Sequence, residues 1–118
     1  MPLQRGERDV QVGAATHVGK VRPNNEDGYL VSGHLLAVAD GMGGHTAGEV
    51  ASATVLRVLR DYPVGAAVSE AASAGPARAA ARLHEAVRMA HERLLAFTDA
   101  DPTLHGSGTT LTAGLVMP

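Results

Sequence analysis

Apolar and polar residues change their spacing several times along the chain, and these changes predict its first elements. Residues 10–16 are short and β-tolerant, which predicts an early strand, and residues 19–25 contain turn-forming Pro and Asn and predict a loop. Two apolar runs, residues 28–31 and 35–39, are separated by Ser-Gly-His and predict a β-hairpin. The second run is apolar throughout, as in a strand that is buried on both faces.

After residue 46 the apolar residues recur with the period of a helix, about 3.6 residues. A first helix is predicted for residues 47–60, with Pro63 helping to end it, and residues 64–75 predict a connector rich in Ala, Ser and Gly. Pro76 can begin a second helix. The predicted buried face of the first helix consists of Ala51, Val55, Val58, Leu59 and Tyr62. The predicted buried face of the second consists of Leu83, Val87, Ala90, Leu94 and Phe97, and its solvent side carries the ion-pairing residues Glu85, Arg88, Glu92 and Arg93.

The second helix is followed by a polar segment, residues 98–108, which predicts a loop, and by a β-branched run, residues 109–117, which predicts a strand. The predicted order is therefore strand, hairpin, helix, helix, strand. A length of 118 residues with 45% hydrophobic and 19% charged residues fits one domain.

Charge and cysteine content exclude several classes of function. The net charge of -2, with basic residues scattered along the chain, disfavours nucleic acid and anionic membranes as partners. There is no cysteine, and hence no disulfide, thiolate metal site or thiol nucleophile. No apolar run approaches the roughly 18 residues of a membrane helix, and the N-terminus is polar. We therefore expect a cytoplasmic protein.

The first group of residues with chemical potential is the loop at residues 22–27, with the sequence Arg-Pro-Asn-Asn-Glu-Asp. The planar donors of Arg22 match two oxygens of a phosphate, and the adjacent carboxylates of Glu26 and Asp27 suit a hard divalent cation. Taken alone, the same residues also fit a solvated loop with an arginine paired to an acid.

The second group is residues 40–45, Asp-Gly-Met-Gly-Gly-His, at the end of the apolar strand. The carboxylate of Asp40 needs a cation or hydrogen bonds there, and the glycines let the backbone approach a ligand, so that the Gly41 carbonyl could bind a metal. A nucleotide-binding turn is the rival interpretation. However, Thr46 stands where its glycine fingerprint requires Gly, and the Lys-Ser/Thr of a phosphate loop is absent.

Together with Gly-Thr-Thr at residues 108–110, these two groups resemble, in the same order, the bacterial type 2C (PPM) metal-dependent protein phosphatases. The resemblance covers residues 15–116. It implies an α+β fold, the four-layer α-β-β-α sandwich, of which this chain would supply the N-terminal part. Residues 1–118 would thus be part of a single catalytic domain, with its second half, including the remaining acidic metal ligands, beyond residue 118.

The resemblance also implies roles for individual residues. Asp40 resembles the carboxylate that bridges two Mn²⁺ or Mg²⁺ ions, and Glu26 and the Gly41 carbonyl are similar to ligands of one of them. Asp27 resembles the acid that orients metal-bound water, and Arg22 the residue that binds the substrate phosphate. Residues 108–110 are expected to be structural. The implied activity is hydrolysis of phosphoserine and phosphothreonine by a hydroxide that bridges the metals. The implied partners are proteins that serine/threonine kinases have phosphorylated.

One departure concerns the general acid, since some family members carry His where this chain has Met42, whose thioether donates no proton. Protonation of the leaving group must then fall to water or to another group; His45 is the nearest histidine in sequence, but it fits the Gly-Gly-His of bacterial members, where a structural role is the alternative. The other histidines form no ligand set: His17, His34, His84, His91 and His105. With so few metal ligands, we expect the 118-residue chain to be inactive by itself. The alternative function is that of a non-catalytic binding or regulatory fragment.

Overall fold

The computed structural model describes residues 11–44, 46–62 and 75–117, which form an antiparallel sheet with two helices packed on one face. A short 3₁₀ turn, Pro102–Leu104, follows the second helix. The elements in chain order are β1 (Asp27–Ser32), β2 (Leu35–Met42), α1 (Ala47–Asp61), α2 (Pro76–Ala100), β3 (Gly108–Thr109) and β4 (Thr112–Leu115).

β2 is the central strand of the sheet. It pairs with β1 on one side, in a register that runs from Asp27 opposite Asp40 to Ser32 opposite Leu35. On its other side it pairs with β4 and, near its end, with β3. The predicted hairpin is confirmed, and so is the strand after the second helix, which is divided into two short pieces.

The early strand predicted for residues 10–16 is wrong for the part that the structure describes. Residues 11–16 adopt no regular structure and are exposed. Val12 is the only large apolar residue among them and is 44% exposed, so no burial holds this segment in a sheet. The loop predicted for residues 19–25 is confirmed.

The core lies between one face of β2 and the two helices. Leu35, Ala37 and Ala39 are buried, because alternate residues of a strand point to the same side. The prediction that this run is buried on both faces is wrong, since Val38 is 56% exposed. The apolar run is therefore divided between a packed face and an open one within the described part of the chain.

α1 confirms the predicted first helix, with Ala51, Val55 and Leu59 buried against the sheet. α2 begins at Pro76, as predicted, and Leu83, Ala90 and Leu94 of its predicted buried face lie in the core or pack against it. Its fully buried residues are alanines, Ala79, Ala86 and Ala90.

The other two residues of the predicted face, Val87 and Phe97, are 39% and 44% exposed, so the prediction is wrong for them. Ala79, Ala86 and Ala90 form a buried alanine stripe, and small residues of this kind let two helices approach closely. Arg88 forms the predicted ion pairs with Glu85 and Glu92 on the solvent side. The connector predicted for residues 64–75 lies almost entirely outside the described residues.

Candidate functional site

Two carboxylates face each other at the open end of the β1–β2 hairpin. Asp27 and Asp40 are register partners on neighbouring antiparallel strands, which places their side chains on the same face of the sheet. The pKa of Asp27 is raised above its ordinary value, first by desolvation and then by a hydrogen bond to Asp40 and repulsion from its charge. Arg22 acts in the opposite direction and lowers this pKa. The pair is therefore a place where negative charge accumulates and where a cation would relieve repulsion.

The backbone of Asp40 is held by Thr110. The Asp40 N–H donates to Thr110 Oγ1 at 3.1 Å, and the Thr110 N–H donates to the Asp40 carbonyl at 2.9 Å. β3 continues this contact by pairing with Gly41 and Met42. These bonds agree with the structural role predicted for residues 108–110, because they fix the strand that carries Asp40.

Glu26 is fixed from two directions at once. Its carbonyl accepts a hydrogen bond from the Gly41 N–H at 3.1 Å and another from Ser52 Oγ at 2.8 Å. Its carboxylate lies against Gly48, where a methyl group would be 2.6 Å from Glu26 Oε2. Gly41 is equally close to α1, since a methyl group there would be 2.0 Å from the Gly48 carbonyl oxygen. The two glycines thus let β2, α1 and the Glu26 side chain meet.

The loop before β1 brings Arg22 towards Glu26. Both residues border an open cavity of about 560 Å³ that is completed by Pro23, Asn24 and Gly43. Asp27 borders a different cavity, of about 420 Å³, between β1 and α1. Of the residues predicted from sequence, the structure therefore places Arg22 with Glu26 and Asp27 with Asp40, in two adjoining groups.

Asn25 holds this loop in shape. Its Oδ1 accepts a hydrogen bond from the Asp27 N–H at 3.1 Å, and its Nδ2 donates to Thr16 Oγ1 at 2.9 Å. The amide side chain therefore links the segment before the loop to the first residue of β1.

The donors in these groups suit a hard divalent cation. They are carboxylate and carbonyl oxygens, which Mg²⁺ and Mn²⁺ prefer, and the described residues offer no sulfur ligand except methionine. The pair of Asp27 and Asp40, together with the Glu26 carboxylate that lies against Gly48, fits one part of a metal site. No three acidic or histidine side chains among residues 11–44, 46–62 and 75–117 gather closely enough to hold an ion by themselves.

Two of the histidines lie on the surface of α2, as predicted. His84 and His91 are exposed on α2, and His17 Nδ1 accepts a hydrogen bond from the Gly19 N–H at 2.8 Å. Met42, which stands where some family members carry a histidine, is 57% exposed. The prediction for His45 lies outside the described residues.

Ser52 is a site residue that the sequence analysis missed. It is 3% exposed and lies on the buried side of α1 beside Ala51 and Val55. A polar residue on the apolar face of a predicted helix was the available signal, because a buried hydroxyl must find a partner. Its partner, Glu26, is 26 positions away in sequence.

An antiparallel sheet with helices on one face, and with an arginine and three carboxylates at one end, is typical of a metal-dependent phosphatase. Comparison with known proteins agrees with this class. Over 99 residues, 80% of this chain, the sequence is 43% identical to the serine/threonine protein phosphatase PstP of Mycobacterium tuberculosis. Over 106 residues, 86% of this chain, it is 31% identical to the serine/threonine phosphatase Stp of Listeria monocytogenes. No protein-family model matches the chain.

The fold comparison gives the same result. A crystal structure of the catalytic domain of PstP in complex with two manganese ions superposes with a TM-score of 0.68 at 42% identity, over 86% of this chain and 41% of that domain. The chain spans only 17% of the length of PstP and 40% of that of Stp. It is thus a homologue of the bacterial PPM-type serine/threonine phosphatases, matching the N-terminal part of their catalytic domain, and its α+β fold covers part of that domain.

Proposed function

We propose that this chain is part of a metal-dependent protein phosphatase that hydrolyses phosphoserine and phosphothreonine. The observation that carries the proposal is the placement of Asp40 opposite Asp27, with the preceding residue, Glu26, held at the same end of the sheet by Gly41 and Ser52. Homology to named serine/threonine phosphatases supports the same reaction. Residues 1–118 would belong to a single catalytic domain.

Each residue has a distinct part in this proposal. Asp40 is the carboxylate shared by two cations, while the Glu26 carboxylate and the Gly41 carbonyl hold one of them. Asp27 accepts a hydrogen bond from the attacking water and orients it, and Arg22 binds the phosphate from the side of the open cavity. Bound Mn²⁺ or Mg²⁺ would activate the water and offset charge on the phosphoryl oxygens.

The proposed partners are proteins phosphorylated by serine/threonine kinases, and the proposed compartment is the cytoplasm. Support for the substrate class comes from the names of the relatives. Neither α1 nor α2 combines the length and the apolar composition of a membrane span, as far as the described residues extend.

The test is a chimera in which this chain replaces the part of the PstP catalytic domain that it matches. We expect Mn²⁺-dependent release of phosphate from a phosphothreonine peptide. Asp40→Asn should reduce release to the level seen without Mn²⁺, and Arg22→Ala should lower kcat/KM about 100-fold while Mn²⁺ still binds. A folded chimera that binds Mn²⁺ without turnover, or an Asp40→Asn variant with full activity, would contradict the proposal.

A non-catalytic binding or regulatory role is the second candidate for the 118-residue chain alone. The observation that favours it is that the described residues contain no cluster of three metal-binding side chains. We expect weak Mn²⁺ binding and no phosphate release from the purified chain, because holding two ions requires more ligands than these. Robust release that depends on Asp40 would exclude the non-catalytic role.

A further inference from the structure

We propose that Gly48 and Ser52 of α1 are positioning residues that together fix Glu26 for metal binding. The inference rests on the proposed function, since it takes Glu26 to be a metal ligand. Gly48 and Ser52 are four positions apart and therefore lie on the same side of the helix, one turn after the other. Ser52 holds the backbone of Glu26, and Gly48 provides the surface on which its carboxylate lies.

Ser52 acts through the Glu26 carbonyl. Its hydroxyl oxygen is 2.8 Å from that carbonyl oxygen and 3.2 Å from the Glu49 carbonyl oxygen within α1, so the shorter hydrogen bond leaves the helix. The Gly41 N–H donates to the same Glu26 carbonyl from β2. Residue 26 is thus tied to a strand and to a helix at one atom, which restricts the direction of its side chain.

Gly48 acts by leaving room for the Glu26 carboxylate. A methyl group at this position would lie 2.6 Å from Oε2 and 2.7 Å from Cδ of Glu26, and 3.0 Å from the backbone nitrogen of Met42. The first two distances exclude any side chain while the carboxylate keeps its place, and the third requires only a small shift of β2. Because alanine is a better helix former than glycine, helix stability does not explain a glycine here, whereas room for the carboxylate does.

The test compares Mn²⁺ affinity with stability in the purified 118-residue chain. Gly48→Ala and Ser52→Ala should each weaken Mn²⁺ binding about tenfold, the usual effect of removing an outer-shell partner, as measured by electron paramagnetic resonance of free Mn²⁺. Gly48→Ala should leave the metal-free Tm unchanged or raise it. A merely structural role predicts the reverse, a lower Tm with unchanged affinity.

Two matched controls separate the effect from general damage. Thr54→Val removes another buried hydroxyl of the same helix, and Gly114→Ala adds a methyl group in β4 where no atom lies within 4 Å. Both should bind Mn²⁺ like the wild type. In a Glu26→Gln background, Gly48→Ala should have no further effect on affinity, because the carboxylate through which it acts is gone.

The outcomes distinguish this inference from the proposed function. If Asp40→Asn and Glu26→Gln weaken binding but Gly48→Ala and Ser52→Ala do not, the positioning role is overturned and the ligand assignment stands. If Glu26→Gln has no effect, the ligand assignment fails and the inference fails with it. The metal-free chain gives an independent measurement, in which the carboxyl ¹³C resonance of Glu26 should shift in Gly48→Ala and Ser52→Ala and stay in place in both controls; an unshifted resonance would overturn the inference.

Discussion

The opposed carboxylates of Asp27 and Asp40 destabilise the folded, metal-free chain. Like charges directly opposite each other on neighbouring strands are destabilising, and here the pKa of Asp27 is raised by desolvation and by Asp40. The folded chain therefore holds this proton more tightly than the unfolded chain does. Its contribution to stability is present at low pH, below the unfolded pKa of Asp27, and is lost as pH rises through the folded pKa.

Replacing Asp27 with Asn should accordingly stabilise the metal-free chain at pH 7, by no more than about 0.5 kcal/mol because solvent screens this exposed pair, and have little effect near pH 3. Urea unfolding at both pH values measures this difference. Asp101→Asn is the contrasting control, because hydrogen bonds from Thr103 lower the pKa of Asp101. Loss of the negative charge that accepts these hydrogen bonds should destabilise the chain at pH 7. A less stable Asp27→Asn variant at pH 7 would contradict the electrostatic account.

The sequence allowed Arg22, Glu26, Asp27 and Asp40 to be selected as candidates, because their residue types suit phosphate and metal chemistry. It did not reveal that Asp27 and Asp40 are register partners, which depends on the exact turn of the hairpin. Nor did it reveal the bond from Ser52 to Glu26. Contacts between distant positions follow from packing, which no local pattern encodes.

Of the two helices, α2 differs more from its prediction. Its start was predictable, because Pro76 begins it, but its end was not, since the helix continues to Ala100 through the first three residues of the predicted loop 98–108. Its buried face was predicted in part, because Leu83, Ala90 and Leu94 lie in the core or against it, whereas Val87 and Phe97 are exposed. Ala79 and Ala86 complete the buried side as an alanine stripe with Ala90, and small side chains of this kind allow two helices to approach closely.

Enlarging that stripe should destabilise the chain. Ala90 of α2 is 1% exposed and belongs to the core. Ala90→Leu should therefore reduce the free energy of unfolding by about 1–3 kcal/mol through overpacking. Ala96→Leu adds the same atoms to an exposed position of the helix and should change stability little. Equal urea midpoints for the two variants would show that the alanine stripe is not tightly packed.

At the scale of the whole molecule, the sheet has one covered and one open face. Tyr29, Val31, Val38 and Met42 are each 46–57% exposed, and the first three lie close together on β1 and β2. The four-layer sandwich implied by the family resemblance places a second sheet over such a face. The chain spans 41% of the solved PstP catalytic domain, which is consistent with one helical layer and one sheet.

The open face should bind a hydrophobic dye. Val38→Lys should lower the dye fluorescence of the purified chain and change its stability by no more than about 0.5 kcal/mol, because the side chain is already 56% exposed. Val87→Lys, at an exposed position of α2, is the control and should leave dye fluorescence nearly unchanged. Equal fluorescence in wild type and Val38→Lys would indicate that the dye binds elsewhere.

The short turn between β1 and β2 has a consequence far from its own position. Residues 33–34 close the hairpin at one end, and the two aspartates stand opposite each other at the other end. Side chains alternate along a strand, so inserting a single residue in the turn would shift the pairing by one step and turn one carboxylate away from its partner. The length of this surface turn thus determines whether the two carboxylates stand opposite each other. Natural variation in the length of the turn would therefore be constrained by the chemistry at the opposite end of the strands.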